Sequence, residues 1–164
     1  MESARVATDD DLEQIVLLAR RGVAELTPMR GGATWAARDA RPEPLDEAFA
    51  ALLERDDVSV VVGTIDDVVI GFGVGRVERL RDGRDHGVVD ELFVEPDARS
   101  VGVGEAVVEQ LLVFFAERGC SGADALALPG NRATKNFFEQ QGFVARAIVM
   151  HKRLSDADTE SGPP

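Results

Sequence analysis

The chain has 164 residues, 45% hydrophobic and 29% charged, which is enough for one globular domain with its own core. Thirty acids against 18 Lys and Arg leave a formal charge of −12, so nucleic acid and anionic membrane surfaces are poor partners. A single cysteine, Cys120, forms no internal disulfide. No apolar run reaches the ~20 residues that span a bilayer, and Met1-Glu2-Ser3 does not open a signal peptide, so a soluble cytoplasmic protein is expected.

In chain order, Arg5-Val6-Ala7 reads as a short first strand. Thr8 followed by three Asp marks a helix start, and Leu12, Ile15, Val16, Ala19 and Val23 follow at helical spacing. Thr27 to Pro44 holds three Pro and two Gly and is expected to be irregular or broken into short helices. Leu45–Arg55 resumes a helix. Val58–Ile65, the Asp66-Asp67 turn and Val68–Arg79 form a hairpin, and Val88–Val94 is the next strand, stopped by Pro96. Val101–Arg118 is a long helix with Val107, Val108, Leu111, Leu112 and Phe115 on one side. Ala123–Leu128 is a weak strand, Asn131 to Gln141 a capped helix, and Phe143–Leu154 a returning strand. The expected architecture is α/β, a mixed and mostly antiparallel sheet flanked by helices on both faces. It forms a single domain over 1–154, with a disordered polar tail at 155–164.

The segment Val88–Glu105 carries the chemistry. A strand, a short loop with Arg99, and then Gly102 and Gly104 at a helix start bring unpaired N–H groups, a positive dipole end and a guanidinium together. Glycine lets a ligand approach the main chain, and the result is an anion seat sized for a pyrophosphate. The spacing Arg-x-x-Gly-x-Gly is neither a dinucleotide fingerprint nor a Walker loop. Gly71, Gly73 and Gly75 alternate on one strand face, where close packing of a helix is preferred over a substrate.

Residues 89–104, VDELFVEPDARSVGVG, resemble the coenzyme A-binding motif of the GCN5-related N-acetyltransferase (GNAT) superfamily. Residues 131–143, NRATKNFFEQQGF, resemble its second signature with one spacing slip at Ala133, and Val69-Ile70-Gly71-Phe72 is similar to its third strand. The resemblance covers roughly Thr8 to Leu154 and implies the GNAT fold and an acetyl-CoA-dependent N-acetyltransferase acting on a primary amine of a small molecule or protein. Main-chain groups of Leu92, Phe93 and Val94 would pair with the pantetheine arm. Arg99 and the amides of Ser100, Val101, Gly102, Val103, Gly104 and Glu105 would hold the pyrophosphate. Asn131 would bond the pantetheine, and Phe138 would lie near the thioester sulfur. No metal is implied. Small members are often dimers, so a homodimer stays open.

Amide formation needs a base for the amine and a donor for the developing oxyanion. Adjacent strand residues face opposite sides, so only one of Asp90 and Glu91 can enter a given cleft; the resemblance, in which several members carry an acid at the position of Asp90, makes Asp90 the first candidate base and Glu91 the second. A strand irregularity near Leu92–Val94 would free an N–H for the oxyanion. Many relatives carry a Tyr where this chain has Phe138, and the chain has no Tyr. Cys120, Ser121, His86 and His151 are conceivable stand-ins, although His86 reads better as an exposed turn residue and Cys120 as core. An acyl-CoA-binding module with weak or no turnover is therefore the competing reading. The resemblance further implies that the loop Thr27–Pro44, with Met29, Arg30 and Trp35, roofs the acceptor, and the net charge leans toward a cationic one.

Overall fold

The computed structural model describes residues 1–155, and the expectation for residues 156–164 lies outside them. Two compact units are present: residues 1–22 with 41–126, and residues 23–40 with the described residues from 127 onward.

The first unit is built on a five-stranded sheet in the order β1 (Glu2–Val6), β2 (Val58–Ile65), β3 (Val68–Arg79), β4 (Asp85–Val94), β5 (Ala123–Ala125). All pairings are antiparallel except β4 with β5, which is parallel. The mixed, mostly antiparallel sheet expected from the strand order is thus formed. β2 is buried along nearly its whole length because it has strands on both edges and helices on both faces. The β2–β3 turn is the Asp66-Asp67 pair with φ of 47° and 67°, the left-handed pairing that fits a two-residue hairpin.

One face carries α1 (Leu12–Leu26) and α3 (Leu45–Leu53). Ile15, Leu18, Phe49, Val60, Val62, Phe72 and Val74 are almost fully excluded from solvent there. The other face carries α4 (Val103–Glu117), whose Val103, Val107, Val108, Leu111 and Phe115 are buried while Glu105, Glu109 and Glu117 point outward. The glycine stripe of β3 faces this helix. A Cβ on Gly73 would lie 2.7 Å from Val107 Cγ1, and one on Gly75 would lie 2.8 Å from Phe115 Cζ. Close helix packing, not a substrate, accounts for the stripe. Gly73→Ala forces a methyl against a fully buried valine, so it is expected to destabilise the protein by about 1–3 kcal/mol, read by urea unfolding.

The start of α1 is fastened by Asp11, whose side chain is 7% exposed. It takes a two-pronged contact from Arg5 at 2.7 and 2.9 Å and the main-chain N–H of Thr8 at 2.8 Å. The Arg5 hydrogen bonds hold its carboxyl below the usual range. A carboxyl that is more acidic in the fold than in the unfolded chain stabilises fully above the unfolded value near 3.8 and loses that contribution as pH falls through the lower folded value. Asp11→Asn is expected to cost about 2 kcal/mol at neutral pH, with the gap to the wild type closing in strong acid. Denaturant melts across pH would show a constant gap if Asp11 were merely solvated.

The second unit holds the end of α1, the short α2 (Gly32–Arg38) and α5 (Arg132–Gln140). The expectation of short helical pieces within Thr27–Pro44 is met by α2. A Cβ on Gly130 would meet the main-chain N of Arg30 at 2.6 Å, so the 29–30 and 128–131 segments pack backbone to backbone. Asn131 caps α5, its side-chain oxygen accepting from the Thr134 N–H at 3.3 Å.

Two strand expectations are corrected. β5 ends at Ala125 rather than Leu128, because its ladder to β4 has only three residue pairs and Pro129 follows closely. Residues 143–154 form no strand: Val144, Ile148, Val149, Met150 and Leu154 are 78–87% exposed. Their β-branched pattern favours a strand only where a sheet edge offers hydrogen bonds and a face to cover, and no described strand pairs with them.

Candidate active site at the open edge of strand β4

The candidate site grows from the asymmetry of β4. Along one edge β4 pairs with β3 as far as Val94, opposite Gly71. Along the other edge it pairs with β5 only through Gly87, Val88 and Val89. From Asp90 to Val94 that second edge carries no strand partner among the described residues. The main chain of this segment therefore has one edge without a neighbouring strand, where the Val94 carbonyl accepts from the Arg99 side chain.

A bulge lies at the head of this open edge. Gly75 pairs with Val89 and Val74 with Glu91, which leaves Asp90 as the extra residue. The irregularity expected at Leu92–Val94 is thus at Asp90 instead; the ladder from Glu91 to Val94 is regular on the β3 side.

The bulge also decides which carboxylate goes where. Residues directly opposite in an antiparallel pair share a face. Glu91 and Phe93, opposite Val74 and Phe72, stand on the α1/α3 face. Leu92 and Val94, opposite Gly73 and Gly71, stand on the α4 face. Asp90 is held in an ion pair with Arg76 at 2.9 Å, and Arg76 also reaches Glu78 at 3.1 Å. Glu91 is 18% exposed and pairs with Arg41, whose side chain is 20% exposed. Burial pushes the Glu91 carboxyl above its usual range; Arg41 pulls the other way, and neighbouring Asp90 adds to the rise.

Beyond Val94 the chain makes the 3-10 turn Pro96–Ala98 and enters α4. Ser100 and Gly102 both have positive φ, 72° and 92°, so the main chain doubles back just before the helix. The first α4 hydrogen bond runs from Ala106 N–H to Gly102 carbonyl at 3.0 Å, leaving the amides of Val103, Gly104 and Glu105 without intrahelical acceptors. Amides so placed at a helix start can act as donors to an anion. Arg99 folds back: its Nε donates to the Val94 carbonyl at 2.9 Å, and its guanidinium lies 5.5 Å from the Phe93 ring centre. It ties the end of the open edge to the start of the loop.

The second unit holds the remaining predicted residues. Phe138 is buried in an aromatic group with Phe137 and Phe143, ring centres 5.3 and 5.2 Å away. Asn131 spends its carbonyl oxygen on the α5 cap. Trp35 is half-buried in α2 and Arg30 is exposed. Of the stand-in acids, His86 is not an exposed turn residue: it lies in β4, 17% exposed, with Nε2 3.1 Å from Asp124. The strand extends three residues further back than its apolar pattern shows, because Asp85 and His86 pair with Arg79 and Glu78. Cys120 lies just past the end of α4, where burial pushes its thiol up and away from easy ionisation. Ser121 is exposed and its N–H bonds to the Asp85 carbonyl, and His151 is exposed in the segment that forms no strand.

Arg41 was not singled out by the sequence. It lies fifty positions from Glu91, between an irregular loop and Pro42, and no local pattern links the two. Its guanidinium is further placed by the Phe49 ring, 5.2 Å from the ring centre.

The family model described as "Acetyltransferase (GNAT) family" matches residues 28–143. The chain is 30% identical to a mycothiol acetyltransferase from Propionibacterium freudenreichii, over 94% of this chain and 49% of that protein. It is 27% identical to an uncharacterized N-acetyltransferase from Archaeoglobus fulgidus, over 86% of this chain and 91% of that protein. Among solved structures, a point mutant of the BH1408 protein from Bacillus halodurans superposes with a TM-score of 0.78 at 17% identity, covering 93% of this chain and 99% of that one. The chain spans about half the length of the mycothiol acetyltransferase it matches. No described helix is long and apolar enough to cross a membrane. The family match covers the open-edged β4, the turn into α4 and the α5 signature in one stretch, and the chain belongs to the GNAT family of acetyltransferases.

Proposed function

We propose that this chain is an acetyl-CoA-dependent N-acetyltransferase, with residues 1–154 as its working domain. The observation that carries the reading is the edge of β4 left open from Asp90 to Val94, leading directly to the unpaired amides that start α4. One feature suits the pantetheine amides and the other suits a pyrophosphate, in the order that coenzyme A presents them. The residues assigned to the coenzyme are the main chain of Leu92, Phe93 and Val94, the Ser100–Glu105 amides, and Arg99. The family pattern adds Asn131 and Phe138. Acetyl-CoA supplies the acetyl group as a thioester.

Glu91 is the favoured base. It is four-fifths covered, burial pushes its carboxyl above the usual range, and it stands one residue before Leu92. A base that ionises above the usual carboxylate range is better matched to removing an ammonium proton near neutral pH. Asp90, engaged by Arg76, holds the bulge in place. The Asp90 bulge interrupts the ladder where a main-chain donor for the oxyanion is needed.

The test is calorimetric titration with CoA and acetyl-CoA, together with thiol release over a panel of amines. Coenzyme binding with amine-dependent thiol release is expected. Tight coenzyme binding with no turnover across the panel would favour the acyl-CoA-binding module, and no binding at all would overturn the reading.

A further inference from the structure

We propose that the acceptor is an amine carrying a carboxylate on the neighbouring carbon, an α-amino acid or a compound with that head group, received by the Arg41–Glu91 pair. The proposal rests on the reading of this face of β4 as the acetylation site.

Three observations on one face carry it. Arg41 donates from Nε to Glu91 Oε1 at 2.6 Å, and its Nη2 reaches the same oxygen. Both contacts fall on Oε1, so the guanidinium fork is not matched to the two carboxylate oxygens side by side. The pair is set in place rather than loose on the surface: Phe49 lies under the guanidinium, and both side chains are four-fifths covered. Phe93, half-buried, follows on the same face, while Phe72 and Val74 are closed off in the core beneath the helices.

A fixed cation beside a fixed anion, both largely covered, recognises a ligand with the same two charges in the opposite order. The ammonium of an α-amino acid meets Glu91 while its carboxylate meets Arg41, which gives four alternating charges and leaves no protein charge uncompensated. A plain amine satisfies only half of that arrangement. A polyamine would bring a second ammonium toward Arg41, a like-charge contact that low exposure makes costly. The local pair therefore overrides the lean toward polycations drawn from a net charge of −12, because net charge steers encounter while the contacting groups select the ligand.

The experiment uses matched trios: a free amino acid, its carboxamide, and the amine lacking the carboxyl group, for instance leucine, leucinamide and isopentylamine, with phenylalanine and glutamine trios beside it. Binding is read by saturation-transfer NMR with CoA present, and turnover by thiol release with acetyl-CoA. In at least one trio the free acid should bind and give a kcat/KM at least about 10-fold above both partners. The ratio should collapse toward one in Arg41→Gln and be partly kept in Arg41→Lys. Equal use of acid and amide by the wild type, a preference that survives Arg41→Gln, or no binding and no turnover by any free acid overturns the proposal. Glu91→Gln separates it from the base assignment. Acid-selective binding that persists while the rate does not fall would remove Glu91 as the base and leave the acceptor class standing. Loss of rate with no acid selectivity in the wild type would do the reverse.

Discussion

Gly104→Val is expected to weaken CoA binding by about 10²–10³-fold, since excluding a pyrophosphate from two or three charge-assisted amide contacts forfeits about 3–4 kcal/mol. Gly104 lies inside α4, in its first turn, where a β-branched residue costs the helix only a few tenths of a kcal/mol relative to other ordinary residues. The valine methyls would instead occupy the approach to the amides of Val103, Gly104 and Glu105. Calorimetry should show the loss of binding heat while the thermal midpoint of the unliganded protein holds within a few degrees. Gly102 offers a contrast. Its φ of 92° and the Glu2 side chain 3.3 Å from a built Cβ mean that Gly102→Val strains the fold as well as the seat. Unchanged CoA affinity in Gly104→Val, with the fold intact, would remove the seat from the α4 start.

Glu91→Gln is expected to lower kcat/KM by about 10²–10⁴-fold near neutral pH, the usual weight of a general base, with Asp90→Asn falling well short of that. The pH dependence carries the sharper signature. A base works only when ionised, and burial raises the pH at which Glu91 loses its proton. The acid limb of kcat/KM should therefore lie above the value of about 4.3 typical of glutamate, with activity declining as pH drops through it. That limb should vanish in Glu91→Gln. A limb at the ordinary glutamate position, or one that persists in the variant, assigns the proton to another group.

The sequence placed most of the framework. Val58–Ile65 and Val68–Arg79 match β2 and β3 residue for residue, because alternating β-branched runs around an Asp-Asp turn leave the backbone little choice. Gly102 and Gly142 mark the start of α4 and the end of α5 through their positive φ, a purely local requirement. The turn from β4 into α4 was legible for the same reason. A run of unpaired amides at a helix start is a local structure, and its spacing is written in consecutive residues.

What failed was non-local. Phe143–Leu154 has the composition of a strand, but a strand exists only with a partner edge, and the described chain provides none. His86 reads as a turn residue until β3 extends far enough to pair with it and Asp124 arrives from β5. The order of Asp90 and Glu91 could not be settled from their adjacency, since a single extra residue in β4 reverses which side chain faces which layer.

The amino-acid sequence alone determined the family pattern, the order of the elements from β2 to α5 and the glycine-marked turn into α4, because each depends on neighbours a few positions apart. Tertiary structure alone decided that Glu91 is the covered carboxylate, that Arg76 occupies Asp90, and that Arg41 meets Glu91 across fifty residues of chain. Those outcomes depend on strand register and helix packing, which no local run of residues encodes.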